Sequence, residues 1–358
     1  MPTAETIRVA VVGLGRFGSK RVAAVTANPR STVRVVADVL PERARSVGEQ
    51  LDCAHTSKWE QAVARDDVDA VIVSTSAQFL PEVACAALRA GKHVLCEKPF
   101  GRRADEVLPA VEAARENRLR LKVGYNHRYH PALEKAHALC RQGTFGRVHF
   151  LRCLYGHGGR PGYDQEWRAQ PESAGGGQLL DQGVHALDLF RWFVGDFQDV
   201  KAYMSTAFWP IAPLEDNVFA LLRGEQGCVA SLHASWTNWK NTFSFEVFGE
   251  EGYLAVTGLG GNYGTERLCC GVRRVLGTRP EEQWFEFDGP DQSLDREWDD
   301  FVDCILESRD PQSNGEDGWH TLRLAEAIYR AAREDCAVRI EAENESPVHV
   351  HSAGEKTA

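Results

Sequence analysis

IRVAVVGLGRFGSK, residues 7–20, is the stretch whose reading decides the fold. Ile7–Val12 is a short apolar, β-branched run of the kind that forms a buried strand. Gly13-Leu14-Gly15-Arg16-Phe17-Gly18 follows at once, and Ser19–Ala27 carries helix-forming residues with apolar Val22, Ala23 and Val25. Strand, glycine turn and helix in this order are the context in which G-x-G-x-x-G signals a dinucleotide site. Gly13 permits the tight turn, Gly15 admits a pyrophosphate against the backbone, and Gly18 lets helix and strand pack closely. The helix N-terminus then offers N–H groups and a positive dipole end to the phosphates. Twenty residues after Gly18, Asp38 ends a second apolar run, Val33–Ala37. An acid there takes the adenosine ribose hydroxyls and repels a 2′-phosphate, so NAD is predicted over NADP. Arg43, five residues on, is expected in the next helix, facing solvent.

At 358 residues the chain is long enough for two domains. An apolar share of 43% supports a sizeable core. The net charge of −10 and the lack of a basic block argue against nucleic acid or an acidic membrane surface as partner. The first residues lack the pattern of a signal peptide, and no apolar run approaches a membrane span. The ten cysteines are scattered, without a C-x-x-C pair, and read as reduced thiols of a cytoplasmic protein.

From 7 to 125 strand-like and helix-like runs alternate. The strands are Ile7–Val12, Val33–Ala37, Ala70–Ser74, His93–Cys96 and Arg120–Tyr125, with Pro41–Gln50, Lys58–Ala64, Pro81–Ala90 and Ala104–Asn117 as helices between them. This predicts a doubly wound parallel sheet with ligands beyond the carboxyl ends of its strands. Ser74, Thr75, Glu97 and Lys98 fall at such ends. After Tyr125 come a helix at Pro131–Arg141, a strand at Arg147–Tyr155, a long loop over 156–174 and a helix at Leu179–Phe193. Seven strand-like runs between Val200 and Phe287 predict a large, mostly antiparallel open sheet, and two further helices, Asp295–Glu307 and Gly318–Arg333, follow. The fold class is thus α/β, a Rossmann sheet followed by an α+β unit. The boundaries are set at 1–127, 128–342 and a disordered polar tail at 343–358.

Two clusters carry chemistry. Lys98, in Cys96-Glu97-Lys98-Pro99, points from a strand end toward the cofactor, where an ammonium can donate to a substrate oxygen. Asp181, His185 and Asp188 stand at i, i+4 and i+7, on one face of the helix predicted at 179–193. A carboxylate one turn from an imidazole can orient it and raise its proton affinity, as general acid–base chemistry needs. A metal site of Asp and His lacks further ligands here, so no metal is expected.

With these pieces in view, the sequence resembles the Gfo/Idh/MocA family of nicotinamide-dependent oxidoreductases, which includes glucose–fructose oxidoreductase and inositol dehydrogenase. The matching segments are GLGRFG at 13–18, AGKHVLCEKPF at 90–100, VGYNHRYHP at 123–131 and GGGQLLDQGVHALDL at 175–189. The resemblance implies that Lys98 lies beside the nicotinamide and that Asp181 and His185 complete the catalytic set. It also implies a cis Lys98–Pro99 bond and a homodimer or homotetramer built through the second sheet. The implied cofactor residues are Gly13, Gly15, Arg16, Phe17, Gly18, Asp38, Ser74, Thr75, Glu97 and Lys98. The implied reaction is hydride transfer between a secondary alcohol of a sugar or cyclitol and NAD, with His185 as base, Asp181 charging it and Lys98 stabilising the alkoxide. Relatives also include enzymes that cleave glycosidic bonds through transient oxidation, and regulators that sense nucleotide and sugar without turnover. Substrate contacts are expected from Asn126, His127, Arg128, His157, Trp167, Asp181, His185 and Trp236, with Arg152, Arg160, Tyr163 and Trp239 as further candidates. Thr75-Ser76-Ala77-Gln78-Phe79-Leu80 departs from the T-P-N-x-x-H of relatives, so the resemblance gives Leu80 no role.

Overall fold

A computed structural model describes residues 6–340 of the chain. The predicted disordered tail, with His349 and His351, lies outside the described residues.

The first half alternates as predicted: β1 (Ile7–Val12), α1 (Arg16–Ala27), β2 (Ser31–Ala37), α2 (Pro41–Leu51), β3 (Ala54–Thr56), α3 (Trp59–Val63), β4 (Ala70–Val73), α4 (Leu80–Arg89), β5 (His93–Cys96), α5 (Ala104–Glu116) and β6 (Leu121–Val123). The six strands are all parallel, in the order β3-β2-β1-β4-β5-β6. The order reverses at β1, which opens a crevice between the carboxyl ends of β1 and β4. Alternate side chains face opposite layers. Val9, Val11, Ile72 and Leu95 pack under α1, whereas Ala10, Val12, Val71 and Val94 pack under α4 and α5. Strand β3 was not foreseen, because three residues of mixed polarity carry no periodic signal.

The remaining elements are α6 (Pro131–Arg141), β7 (Val148–Gly156), α7 (Pro171–Ala174), α8 (Val184–Val194), β8 (Phe197–Ser205), β9 (Asn217–Gly224), β10 (Val229–Ser235), β11 (Thr242–Gly249), β12 (Gly252–Thr257), β13 (Glu266–Val272), β14 (Glu281–Phe287), α9 (Ser293–Leu306), α10 (Gly315–Glu334) and β15 (Val338–Arg339). Nine strands form one sheet, β14-β13-β12-β11-β7-β10-β9-β8-β15. Every pair in it is antiparallel except β7 with β10. Helices α6, α8 and α10 cover one face. The other face exposes Phe150, Tyr203, Phe219, Leu221 and Val229.

Helix α9 breaks the order of the chain. The predicted boundaries place it in the second unit, yet Trp298, Phe301, Val302 and Cys304 are buried against Val9, Val11, Val22 and Val25 of the first sheet and α1. Fully buried Arg21 of α1 ties the two together, with Nε 2.7 Å from Glu97 at the end of β5 and Nη2 2.7 Å from Glu297 on α9. The helix predicted over 179–193 also differs. Leu179–Gly183 is a π-helical turn, and the α-helix starts only at Val184. The wider turn removes the 3.6-residue spacing on which a shared face for Asp181, His185 and Asp188 depended.

Candidate active site

Two clefts meet at the end of the parallel sheet. The first runs along the β1–α1 turn and is lined by Gly13, Gly15, Arg16, Phe17, Asp38, Ser74, Thr75, Glu97 and Lys98, as the sequence predicts. Its geometry fits a dinucleotide. Gly13 has φ +90°, and a Cβ there would stand 2.4 Å from the Ser74 carbonyl oxygen. A Cβ on Gly18 would stand 1.9 Å from the Gly13 carbonyl oxygen, so helix and turn are in contact. At Gly15 a Cβ would meet nothing within 4 Å. Open space therefore lies over the N-terminus of α1, where Gly15 supplies no side-chain cap. That is the cradle a pyrophosphate fills.

Asp38 is buried and held by backbone N–H donors, from Leu14 at 2.8 Å and Leu40 at 2.9 Å. Arg43 does not simply face solvent. Its Nη1 reaches Asp38 Oδ2 at 3.3 Å, and it lines the same end of the cleft. Glu97 borders the cleft, but its carboxylate turns inward to Arg21, so it anchors the strand end rather than offering a free charge to the cofactor.

The second cleft has a volume of about 780 Å³, within the range of small-molecule sites. Lys98, Asp181, Trp167 and Arg168 line both clefts, and His127, His157 and His185 line the second. The Lys98–Pro99 peptide is cis. Lys98 Nζ donates to the Asp181 carbonyl oxygen and lies 3.6 Å from its Oδ1. Asp181 also takes Arg168 Nε at 3.3 Å and the Tyr163 hydroxyl at 3.2 Å. Burial pushes this carboxyl up, but Lys98 and Arg168 outweigh burial and hold it down at about 2. Asp181 is thus a fixed anion that anchors Lys98.

The expected Asp181–His185 partnership is not formed, because the π turn swings Asp181 toward Lys98. His185 stacks instead on His127, with ring centroids 3.8 Å apart. Its Nδ1 is buried without a hydrogen-bond partner, which leaves Nε2 as the nitrogen for the cleft. Burial pushes His185 well below its ordinary value, and the Lys98 charge adds to the effect. The expectation of a raised proton affinity is therefore reversed. His127 is likewise held low by burial.

Several expected contacts lie elsewhere. Arg128 is spent on Asp188, with Nε 2.8 Å and Nη2 2.6 Å from the carboxylate oxygens. Trp236 is fully buried behind Tyr163, edge to face at 4.7 Å, and supports the wall without lining it. Arg152 pairs with Glu246 on the sheet, and Trp239 packs exposed on Phe208. Asn126 lines the second cleft and donates to Ser293 Oγ at 2.7 Å. The sequence reading missed Tyr263 and its loop, which form the facing wall. Gly258, Gly260, Gly261 and Gly264 all have positive φ, and that glycine-rich hairpin between two strands was the available signal. Tyr263 accepts from Gln182 at 3.0 Å and stands 5.5 Å from Tyr155.

Residues 7–125 match the oxidoreductase family with an NAD-binding Rossmann fold, and residues 133–255 match the GFO/IDH/MocA C-terminal domain. The chain belongs to the Gfo/Idh/MocA family. It is 32% identical over 283 residues to a 1,5-anhydro-D-fructose reductase of Ensifer adhaerens, spanning 79% of this chain and 83% of that one. Over 287 residues it is 28% identical to a levoglucosan dehydrogenase of Pseudarthrobacter phenanthrenivorans, spanning 70% and 73%. A solved levoglucosan dehydrogenase in complex with NADH and levoglucosan superposes with a TM-score of 0.87 at 24% identity, covering 94% of this chain and 99% of that one. This Gfo/Idh/MocA member is therefore an NAD-binding oxidoreductase.

Proposed function

We propose that this oxidoreductase moves a hydride between a secondary hydroxyl of a sugar, cyclitol or sugar derivative and NAD. One observation carries the reading: Lys98 and Asp181 stand where the dinucleotide cleft opens into the second cleft, and His185 lines that second cleft. Bound NAD supplies the hydride acceptor. Lys98, positioned by Asp181, donates to the substrate oxygen and stabilises negative charge as it develops there. His185 is neutral because of its burial, so Nε2 is free to accept the hydroxyl proton. Asp181 acts through Lys98, which is a different role from the one the helical spacing suggested.

Asn126, His127, His157 and Trp167 are the proposed walls for a polyol. Aromatic faces and ring nitrogens together suit alternating C–H and O–H surfaces. The named relatives act on levoglucosan and 1,5-anhydro-D-fructose, which supports this substrate class. No described helix is long and apolar enough to cross a membrane. The ten scattered cysteines, without a C-x-x-C pair, support a cytoplasmic location. The exposed apolar face of the nine-stranded sheet supports a homodimer or homotetramer. The boundaries at 127 and 342 remain our proposed limits of the two units, with α9 returning to the first.

The test is a screen of polyols, cyclitols, anhydrosugars and aminosugars for NADH formation, repeated with Lys98→Met and His185→Ala. NADH from at least one of these compounds, abolished in both variants, supports the reading. NADH formation that persists unchanged in both variants overturns the site assignment.

A further inference from the structure

Asp38 ends β2, and on the motif alone it should exclude a 2′-phosphate. The structure adds a cation to that position. Arg43, in the first turn of α2, sets Nη1 3.3 Å from Asp38 Oδ2 and lines the cleft beside Val39, Ser57 and Trp59. The Asp38 carboxylate does not depend on it. Leu14 N–H donates to Oδ2 and Leu40 N–H to Oδ1, so both oxygens keep a donor when Arg43 leaves.

The Arg43 side chain is 45% exposed, and its pair with Asp38 is long. Half-exposed pairs of this kind contribute little, so the guanidinium can be redirected at small cost. Its planar fork matches a phosphate, and charge-assisted bonds to phosphate are among the strong ones. The neighbouring acid does not cancel it, because Glu42 is turned to Arg45 at 3.3 Å. Among the described residues, Asp38 is the one carboxylate within ion-pair distance of Arg43.

We propose that Arg43 is a 2′-phosphate site beside the ribose, and that this protein binds NADP as well as NAD. With NAD, Arg43 rests on Asp38, whose carboxylate takes the ribose hydroxyls. With NADP, Arg43 swings to the 2′-phosphate while the Leu14 and Leu40 amides hold Asp38. The NAD preference imposed by Asp38 is thereby made shallow.

Calorimetric titration of the full chain with NAD, NADP, 5′-AMP and 2′,5′-ADP tests this without any substrate. The wild-type dissociation constants for NAD and NADP should differ by no more than about tenfold, since the arginine gain opposes the aspartate penalty. Arg43→Ala should weaken NADP and 2′,5′-ADP by roughly 10- to 100-fold, the worth of a hydrogen bond to a charged group. It should leave NAD and 5′-AMP within threefold. Arg43→Lys should fall between, keeping the charge without the fork. An unchanged affinity for 2′,5′-ADP in Arg43→Ala overturns the proposal, as does a wild-type chain that binds 2′,5′-ADP more than about tenfold more weakly than 5′-AMP. Binding of neither dinucleotide would remove the cofactor assignment and this site with it. A polyol screen without turnover, by contrast, leaves these titrations standing.

Discussion

The two clefts that meet at Lys98 are built by different means. The dinucleotide cleft is largely backbone: glycines, short apolar strand ends and the amides of one helix N-terminus, drawn mainly from the first 98 residues. The second cleft is made largely of side chains, many of them titratable, from eight separated segments at 16–20, 97–98, 126–130, 155–168, 181–185, 241, 259–263 and 291–294. A backbone cradle can be specified by a few residues in a row, because a missing Cβ acts where it stands. A side-chain cradle exists only after distant segments are brought together. Substitutions in the two clefts should therefore fail differently, the first through cofactor binding and the second through turnover.

The largest separation is expected from His185→Ala. Loss of the proton acceptor should lower kcat by about 10²–10⁴, while NAD titrates as in the wild type. Lys98→Met follows, with a loss of about 10²–10³ for a donor aimed at developing charge. Stopped assays at saturating cofactor, with NAD binding measured alongside, decide both. Weakened NAD binding with normal turnover at saturation would erase the contrast between the clefts.

Gly18→Ala attacks the other side. Its Cβ would need to displace the Gly13 carbonyl, 1.9 Å away. Overpacking of this kind costs about 1–3 kcal/mol, which calorimetric unfolding reads. The turn would also shift under the pyrophosphate, so the NAD dissociation constant should rise while kcat at saturation changes little.

A smaller effect comes from pH. Burial holds His127 and His185 well below the ordinary imidazole range, and His93 and His137 at about 4. In the unfolded chain the same groups titrate near about 6.5, so the unfolded state binds more protons between the two values. Their contribution to stability is complete above 6.5 and is lost as the pH falls from there toward 4. Thermal midpoints measured from pH 8 to 4.5 should drop below 6.5, and His137→Phe should flatten the slope. The acidic limb of the oxidation rate should likewise lie below 6.5, not above it. The smallest change is expected from Tyr263→Phe, which removes the acceptor for Gln182 and should move KM a few-fold, the scale of one neutral hydrogen bond at about 0.5–1.5 kcal/mol.

The same contrast sets what could be read in advance. The strand His93–Cys96 and the helix Pro131–Arg141 are found with their predicted limits, since periodicity and proline act locally. Gly13, Gly15, Arg16, Phe17, Asp38, Ser74, Thr75 and Lys98 line the first cleft, whereas Gly18 packs beneath the turn and Glu97 turns to Arg21. Lys98, Asp181 and His185 were legible as candidates, but not their pairing, because one π turn redirected Asp181 from His185 to Lys98. Arg128 and Trp236 look like polyol contacts by residue type. Their neighbours Asp188 and Tyr163, 60 and 73 positions away, give them structural work instead. Tyr263 was signalled only by the glycines of its hairpin, and its role follows from Gln182 of the π turn and Tyr155 of β7, 81 and 108 positions away.

The return of α9 has a consequence for how the chain is made. Val9 and Val11 leave the ribosome early, but Trp298 and Phe301, which cover their face of the sheet, come nearly 300 positions later. Helix α1 packs on that face early, but at about 5–20 residues per second the part covered by α9 waits for roughly 15–60 s. During synthesis that face is an apolar surface only partly covered, the state in which chaperones find their clients. A chain stopped before Ser293 would keep the glycine motif and Lys98, Asp181 and His185, yet it would lack the helix that closes the sheet beneath them.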